Sequence, residues 1–228
     1  MDVPIDEIRT LMKSNGLAEL QRAVMGIGFL KDRALKRELL LELLHCSQQQ
    51  VRRMALDQLA SVGGEEVIQP LQDVLRNDSE PYFRALAAKH LGELPDKGTM
   101  ALLLAAYQEA DEDLKIAAAG SLYRYGHPGE VADLAPRLAA DLDSPDGSVR
   151  KDAVRRLSRL QSPLTIPFLT RALRDSNGDV RSEAVSALED LDTPELPSLL
   201  EPLLQDPYSD VREYAQDAIE NYRKKHPK

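Results

Sequence analysis

Arg52, Arg84, Lys115, Arg150, Arg181 and Arg212 stand at steps of 32, 31, 35, 31 and 31 residues along a chain of 228. Such a row of cations could hold an anionic ligand, because a guanidinium presents a fork of donors that matches a carboxylate or a phosphate. Asp78, Asp175 and Asp206 recur with the row. A second, internal chemistry is therefore open to it. Each cation could bond the aspartate of its own or the adjacent turn and tie successive segments together. The joint recurrence of Arg and Asp favours this internal reading.

Other reactive residue types do not gather by spacing. Cys46 directly follows His45 and is the only cysteine, so no intrachain disulfide can form. A reactive thiol needs a lowered pKa and a partner base, and no such partner can be assigned; Cys46 reads as a turn residue. The histidines at 45, 90, 127 and 226 are scattered. There is no HExxH pair, phosphate-binding Gly-rich loop, dinucleotide fingerprint or GxSxG elbow. The acidic runs EADED (109–113) and DLDSPD (141–146) read as solvating and capping groups in turns. No catalytic, metal or cofactor-binding residue is assigned, and the expectation is a chain without a cofactor.

Composition narrows the partners. The formal charge is −9, with 38 acidic and 29 basic residues, whereas affinity for phosphate backbones needs a basic face. Nucleic acid and anionic membrane are therefore not expected as ligands. The opening MDVPIDEIRT lacks an apolar signal region, and no apolar run approaches the ~18 residues of a membrane span. With no disulfide possible, the expected location is cytoplasmic.

The elements that must position the cation row are visible as a repeat. The pattern [V/L/F]-[R/K]-x-x-A-x-x-x-[L/I] centres on Ala55, Ala87, Ala118, Ala153, Ala184 and Ala215, and a degenerate copy places Ala23 in register. A period near 31 residues with two helical patterns each predicts stacked helix pairs. In the second helix (B) of each pair, apolar residues such as Val180, Ala184, Val185, Leu188 and Leu191 share one face, and Val149, Ala153, Val154, Leu157 and Leu160 are their equivalents. The central alanine should admit a close neighbour. The first helix (A) carries Pro70, Pro136 or Pro167, each 17 residues before its alanine, where a proline should bend it. Glu80, Asp111, Asp146 and Asn177 are expected to start the B helices. The prediction is one all-α domain, a right-handed solenoid of about seven pairs spanning 4–30, 33–62, 65–94, 97–125, 128–160, 163–191 and 194–224. The basic tail beyond the last helix is expected to fray.

The register, the helix-A proline and the signature D-x-x-x-x-[V/F]-R-x-x-A-x-x-x-L resemble HEAT repeats. More narrowly they resemble the phycobilisome-lyase HEAT-like subclass, named after two-subunit enzymes that attach bilins to phycobiliproteins. That resemblance implies two functions. The first is a non-enzymatic scaffold or adaptor holding another protein in its concave face. The second is a bilin lyase subunit or phycobilisome-associated factor, with a bilin as ligand and a phycobiliprotein as partner. Iron hydroxylases built from HEAT repeats carry paired metal-binding motifs, and these are missing here. HEAT-like DNA glycosylases need a basic groove and aromatic groups, whereas this chain is acidic and has no Trp.

In HEAT solenoids the exposed side of the B helices lines the concavity. The positions two and six after the [V/L/F] residue are the least apolar and are expected there. In the fourth repeat they are Ile116 and Gly120, with Tyr123 one turn on; in the fifth they are Lys151 and Arg155, flanked by Arg156 and Arg159. An apolar strip beside four cations is the expected partner-binding surface. The long step of 35 residues adjoins it, with the extra residues expected in a loop at 125–133.

Overall fold

The computed structural model describes residues 4–94, 96 and 98–227. Met1 to Val3, Pro95, Lys97 and Lys228 lie outside the described residues, including the first residue of the expected fourth repeat and the last of the basic tail. Fourteen α-helices and no strand occur among the described residues. They are α1 (Ile5–Met12), α2 (Leu17–Phe29), α3 (Arg33–Leu43), α4 (Gln49–Val62), α5 (Ile68–Asn77), α6 (Pro81–Leu91), α7 (Thr99–Tyr107), α8 (Glu112–Arg124), α9 (Gly129–Ala139), α10 (Gly147–Arg159), α11 (Ile166–Ala172), α12 (Gly178–Asp190), α13 (Leu196–Leu200) and α14 (Ser209–Lys225). The odd helices are the A elements and the even ones the B elements, which makes seven pairs.

The chain forms two compact units, one up to Ser121 and one from Leu122, so the division falls within α8. In the first unit α2, α4 and α6 pack in succession while α1, α3 and α5 pack on their own B partners. In the second, α10, α12 and α14 pack in succession, with α9, α11 and α13 on theirs. Within each unit these B helices thus bury one face on their A helix and a flank on the neighbouring B helix. All seven register alanines are completely buried, Ala23, Ala55, Ala87, Ala118, Ala153, Ala184 and Ala215 alike. A larger side chain there would have to displace a helix. Val149 departs from its expected apolar face and is partly exposed.

The prolines act differently from the expectation. Short 3-10 turns at Glu65–Val67 and Pro163–Thr165 precede α5 and α11. Pro70 and Pro167 then fall in the first turn of a fresh α-helix, where a proline's missing N–H has no intrahelical partner to lose. Helix A is therefore interrupted ahead of these prolines instead of being bent at them; only Pro136 lies well inside a helix, α9. Pro194 precedes α13, and Pro197 takes the first-turn position.

The starts of the B helices follow side-chain chemistry. Asp146 and Asn177 accept from the N–H groups of Ser148 and Asp179, and Asp111 accepts from Leu114 N–H at 2.8 Å. Glu80 is no side-chain cap; Asp78 Oδ1 instead accepts the Glu80 N–H at 2.9 Å. The expected loop at 125–133 is short, because α9 already begins at Gly129 and the A element continues through a 3-10 segment to Asp143. Nor does the tail fray at once: α14 continues to Lys225, and Lys225 and His226 both pair with Asp192, at 2.7 and 3.0 Å.

Candidate functional site

The cation row is a ladder between consecutive turns. Arg52 pairs with Asp78 and Arg84 with Glu109. Arg150 donates from Nε and Nη2 to the two oxygens of Asp175 at 2.7 and 2.8 Å. Arg181 does the same to Asp206 at 2.7 and 2.6 Å. In every case the acid belongs to the turn of the following repeat. The guanidinium also donates to backbone carbonyls of its own repeat: Arg84 to Leu75, Arg150 to Ser144 and Pro145, Arg181 to Asp175. Lys115 occupies the row within α8, where its single ammonium cannot form the two-pronged fork. Glu109 is the member that the Asp pattern missed; it stands nine residues before Ala118, as Asp78 stands before Ala87.

These bonds set the electrostatics. Hydrogen bonds from Arg150 hold the Asp175 carboxyl below its ordinary value, and those from Arg181 do so for Asp206, each with help from the backbone N–H two residues on. The Arg partners are raised in turn, Arg150 by Asp175 and Arg181 by Asp206. Arg181 also lies over the Tyr208 ring, 5.4 Å from its centroid. Four arginines of the row are thus engaged in holding repeats together.

The expected partner surface is only partly present. Ile116 is completely buried, a correction to its placement in an exposed strip. Leu114, Ala118, Ala119 and Leu122 of α8 are also buried, so Ile116 is a core residue. Tyr123 is half-buried. In the second unit Lys151 and Arg155 are not bare cations. Both reach Glu183 of α12, at 3.9 and 3.1 Å, and Lys151 also reaches Asp179 at 3.9 Å. Arg156 is 16% exposed and lies against Asp141 and Asp152. Arg155 and Arg159 retain exposed side chains. The basic cluster is accordingly in good part a set of counter-ion pairs between α10 and α12.

The exposed apolar pair lies elsewhere. Met25 and Phe29 in α2 are 56% and 62% exposed and are four residues apart, on one helix face. They occupy the register that is exposed at Lys89, Arg155, Ser186 and Asp217 of later B helices, whereas Gly120 of α8, expected in the same row, is buried. The Met25 position holds Asp57, Lys89, Gly120, Arg155, Ser186 and Asp217 in the other repeats, and the Phe29 position holds Ser61, Glu93, Arg124, Arg159, Asp190 and Asn221. The register rule applied to the degenerate first copy would have found them. Cys46 is a half-buried free thiol at the turn before α4.

The chain belongs to the HEAT-repeat family: a family model described as HEAT repeats matches residues 10–82, 68–144 and 135–220. Solved structures share the fold at low identity. The complex of CpcE and CpcF of phycocyanin lyase from Nostoc sp. PCC7120 is 19% identical, with a TM-score of 0.52, over 97% of this chain and 96% of that chain. A homology model of the full-length AP-3 complex is 16% identical with a TM-score of 0.52, over 91% of this chain and 42% of that one. Human deoxyhypusine hydroxylase is 19% identical over 96% of this chain and 95% of that chain, with a TM-score of 0.42. No curated protein matches the chain in sequence. Among the described residues no helix is long and apolar enough to cross a membrane.

Proposed function

We propose that this chain is a non-enzymatic protein-interaction scaffold or adaptor that binds another protein on the exposed row of its B helices. The observation that carries the proposal is the pair Met25 and Phe29, more than half exposed where the other repeats place small, polar or charged residues. A solvated aromatic and a flexible thioether on a rigid helix face are the residue types that anchor protein interfaces. In the second unit Arg155 and Arg159 hold exposed side chains in the same register, Arg155 in its ion pair with Glu183. The test is affinity capture from the native lysate, comparing wild type with Met25→Asp/Phe29→Asp and with Arg155→Glu/Arg159→Glu. Loss of the same protein from the α2 variant, with its circular dichroism unchanged, supports the reading; identical captured sets sink it.

A second reading, the phycobilisome-lyase HEAT-like subclass, draws on the repeat signature and on the full-length fold likeness to the CpcE–CpcF complex. On it the chain would handle a bilin or a phycobiliprotein. Absorption spectra of the captured material distinguish the two, since a bilin colours the eluate.

A further inference from the structure

The tripeptide Ser-Asn-Gly occurs twice, at Ser14–Gly16 and at Ser176–Gly178. In each, the residue after the asparagine has no Cβ to crowd its backbone nitrogen. That nitrogen can lose its proton and bond to the asparagine Cγ while the Cγ–Nδ2 bond breaks and ammonia leaves. Water then opens the cyclic imide to aspartate or to isoaspartate. Ring closure needs the glycine nitrogen to swing round until it eclipses the asparagine Cβ, and needs the side-chain amide to be free to meet it. The two turns differ in both respects, because the tripeptide is displaced by one residue in the repeat register. Asn177 stands seven residues before Ala184, whereas Gly16, and not Asn15, stands seven before Ala23.

At Asn177 both groups are fixed. Its Oδ1 caps α12 by accepting the Asp179 N–H at 2.8 Å, and its backbone carbonyl accepts the Arg181 N–H at 3.2 Å. Its own N–H donates to Asp175 at 2.8 Å, and Arg150 grips that carboxylate. A ψ of 124° turns Gly178 N away from the Asn177 Cβ, and the Tyr208 ring lies 3.1 Å from where a Cβ on Gly178 would stand. Turning ψ to the opposite sign would break the cap and the first helical bond of α12 together. At Asn15 these restraints are missing. The residue is exposed, and among the described residues neither its side chain nor its carbonyl has a hydrogen-bond partner. Gly16 is the cap of α2, and its carbonyl, not that of Asn15, takes the first helical bond, from Leu20 at 3.1 Å. What holds the Gly16 N–H is the Ser14 hydroxyl, at 3.0 Å. We infer that Asn15 is a site of spontaneous deamidation, with water as co-reactant, and that the cap and the Arg150–Asp175 rung keep the same tripeptide closed at Asn177. An aspartate at 15 lies just before the positive end of α2, and an isoaspartate adds a backbone carbon to the turn between α1 and α2. The inference does not depend on the partner-binding proposal.

The test holds the full-length protein in mildly alkaline buffer, folded or in urea. Samples taken over time are digested under acid conditions and read by mass spectrometry, where conversion of amide to acid shows at each peptide separately. In the folded protein Asn15 should convert at least about tenfold faster than Asn177, because Asn177 reacts only through local opening. In urea the two rates should agree within about threefold, since the tripeptide is the same and its folded surroundings are gone. Gly16→Ala adds a Cβ that first meets the far end of the Glu19 side chain, which can swing aside. It should leave the circular dichroism unchanged and slow Asn15 at least about tenfold in either state. Arg150→Gln should speed Asn177 and leave Asn15 as it was. Equal rates in the folded protein, a faster Asn177, an Asn15 that stays intact while the urea sample converts, or a Gly16→Ala variant that reacts like wild type overturns the inference. An unchanged Asn177 rate in Arg150→Gln overturns the part given to the rung.

Discussion

Arg181 and Asp206 meet as a two-pronged ion pair at 2.7 and 2.6 Å, with 8% and 5% of their side chains exposed. Two charges so far out of water are stable only because their hydrogen bonds are nearly complete: the Asp175 carbonyl takes a further Arg181 N–H, and Tyr208 N–H donates to Asp206. Asp206→Asn removes one partner and leaves a cation buried. It should cost about 3 kcal/mol, measured by urea unfolding of the full chain. Arg181→Lys keeps the charge but loses the fork, and should recover only part of that loss.

The same pair sets an acid limit. The carboxyls of Asp175 and Asp206 titrate below their ordinary value of 3.8 in the folded state. A carboxyl depressed by folding contributes stability that is complete above its unfolded value and is lost as pH falls through the folded value. Thermal midpoints should therefore hold from neutral pH to about 5 and fall steeply below about 4. Asp206→Asn should flatten the lower part of that curve. A curve of unchanged slope would show that the ladder is not the titrating element.

Ile116 and Phe29 should respond in opposite ways to the same substitution. Ile116→Asp places a carboxylate in a fully buried site and should destabilise by about 3 kcal/mol or more. Phe29→Asp changes an exposed position and should stay within about 0.5 kcal/mol of wild type while weakening partner capture. Chemical denaturation of both variants checks the contrast.

Gly92 is held close to Ser121 of α8. A Cβ built on Gly92 would stand 2.6 Å from Ser121 Cβ and 2.8 Å from its Cα. The Ser121 hydroxyl cannot move aside freely, because it donates to the Ala88 carbonyl at 2.8 Å. Gly92→Ala should cost about 1–3 kcal/mol despite alanine's better helix propensity. A neutral result would mean that α6 and α8 separate easily.

Arg156 is a poor choice for mapping a binding face by charge reversal. A glutamate there would confront Asp141 and Asp152, which now sit within 2.5 and 3.0 Å of the guanidinium. Arg156→Glu should lower the thermal midpoint, and by more than Arg156→Gln, which removes the pairs without adding a like charge. Differential scanning fluorimetry on the two variants separates them.

The sequence by itself determined the repeat. Its period, its buried alanines and its paired Arg and Asp are all local or strictly periodic, so each copy reinforces the reading of the others. Helix pairing follows, because an amphipathic segment of 11 to 17 residues, such as α6 or α14, must bury its apolar face on a neighbour. What only the tertiary structure decided is which groups meet across repeats. An Arg could reach its own turn or the next one, and packing gives its carboxylate bond to the next and its carbonyl bonds to its own. Ile116 stands in the same register as exposed residues of other repeats, yet it is buried, since exposure depends on what packs over a helix and not on its own spacing alone. Lys151 and Arg155 read as a bare basic patch until α12 brings Glu183 beside them. Met25 and Phe29 were hidden in the most degenerate copy, where the pattern that would have placed them is weakest.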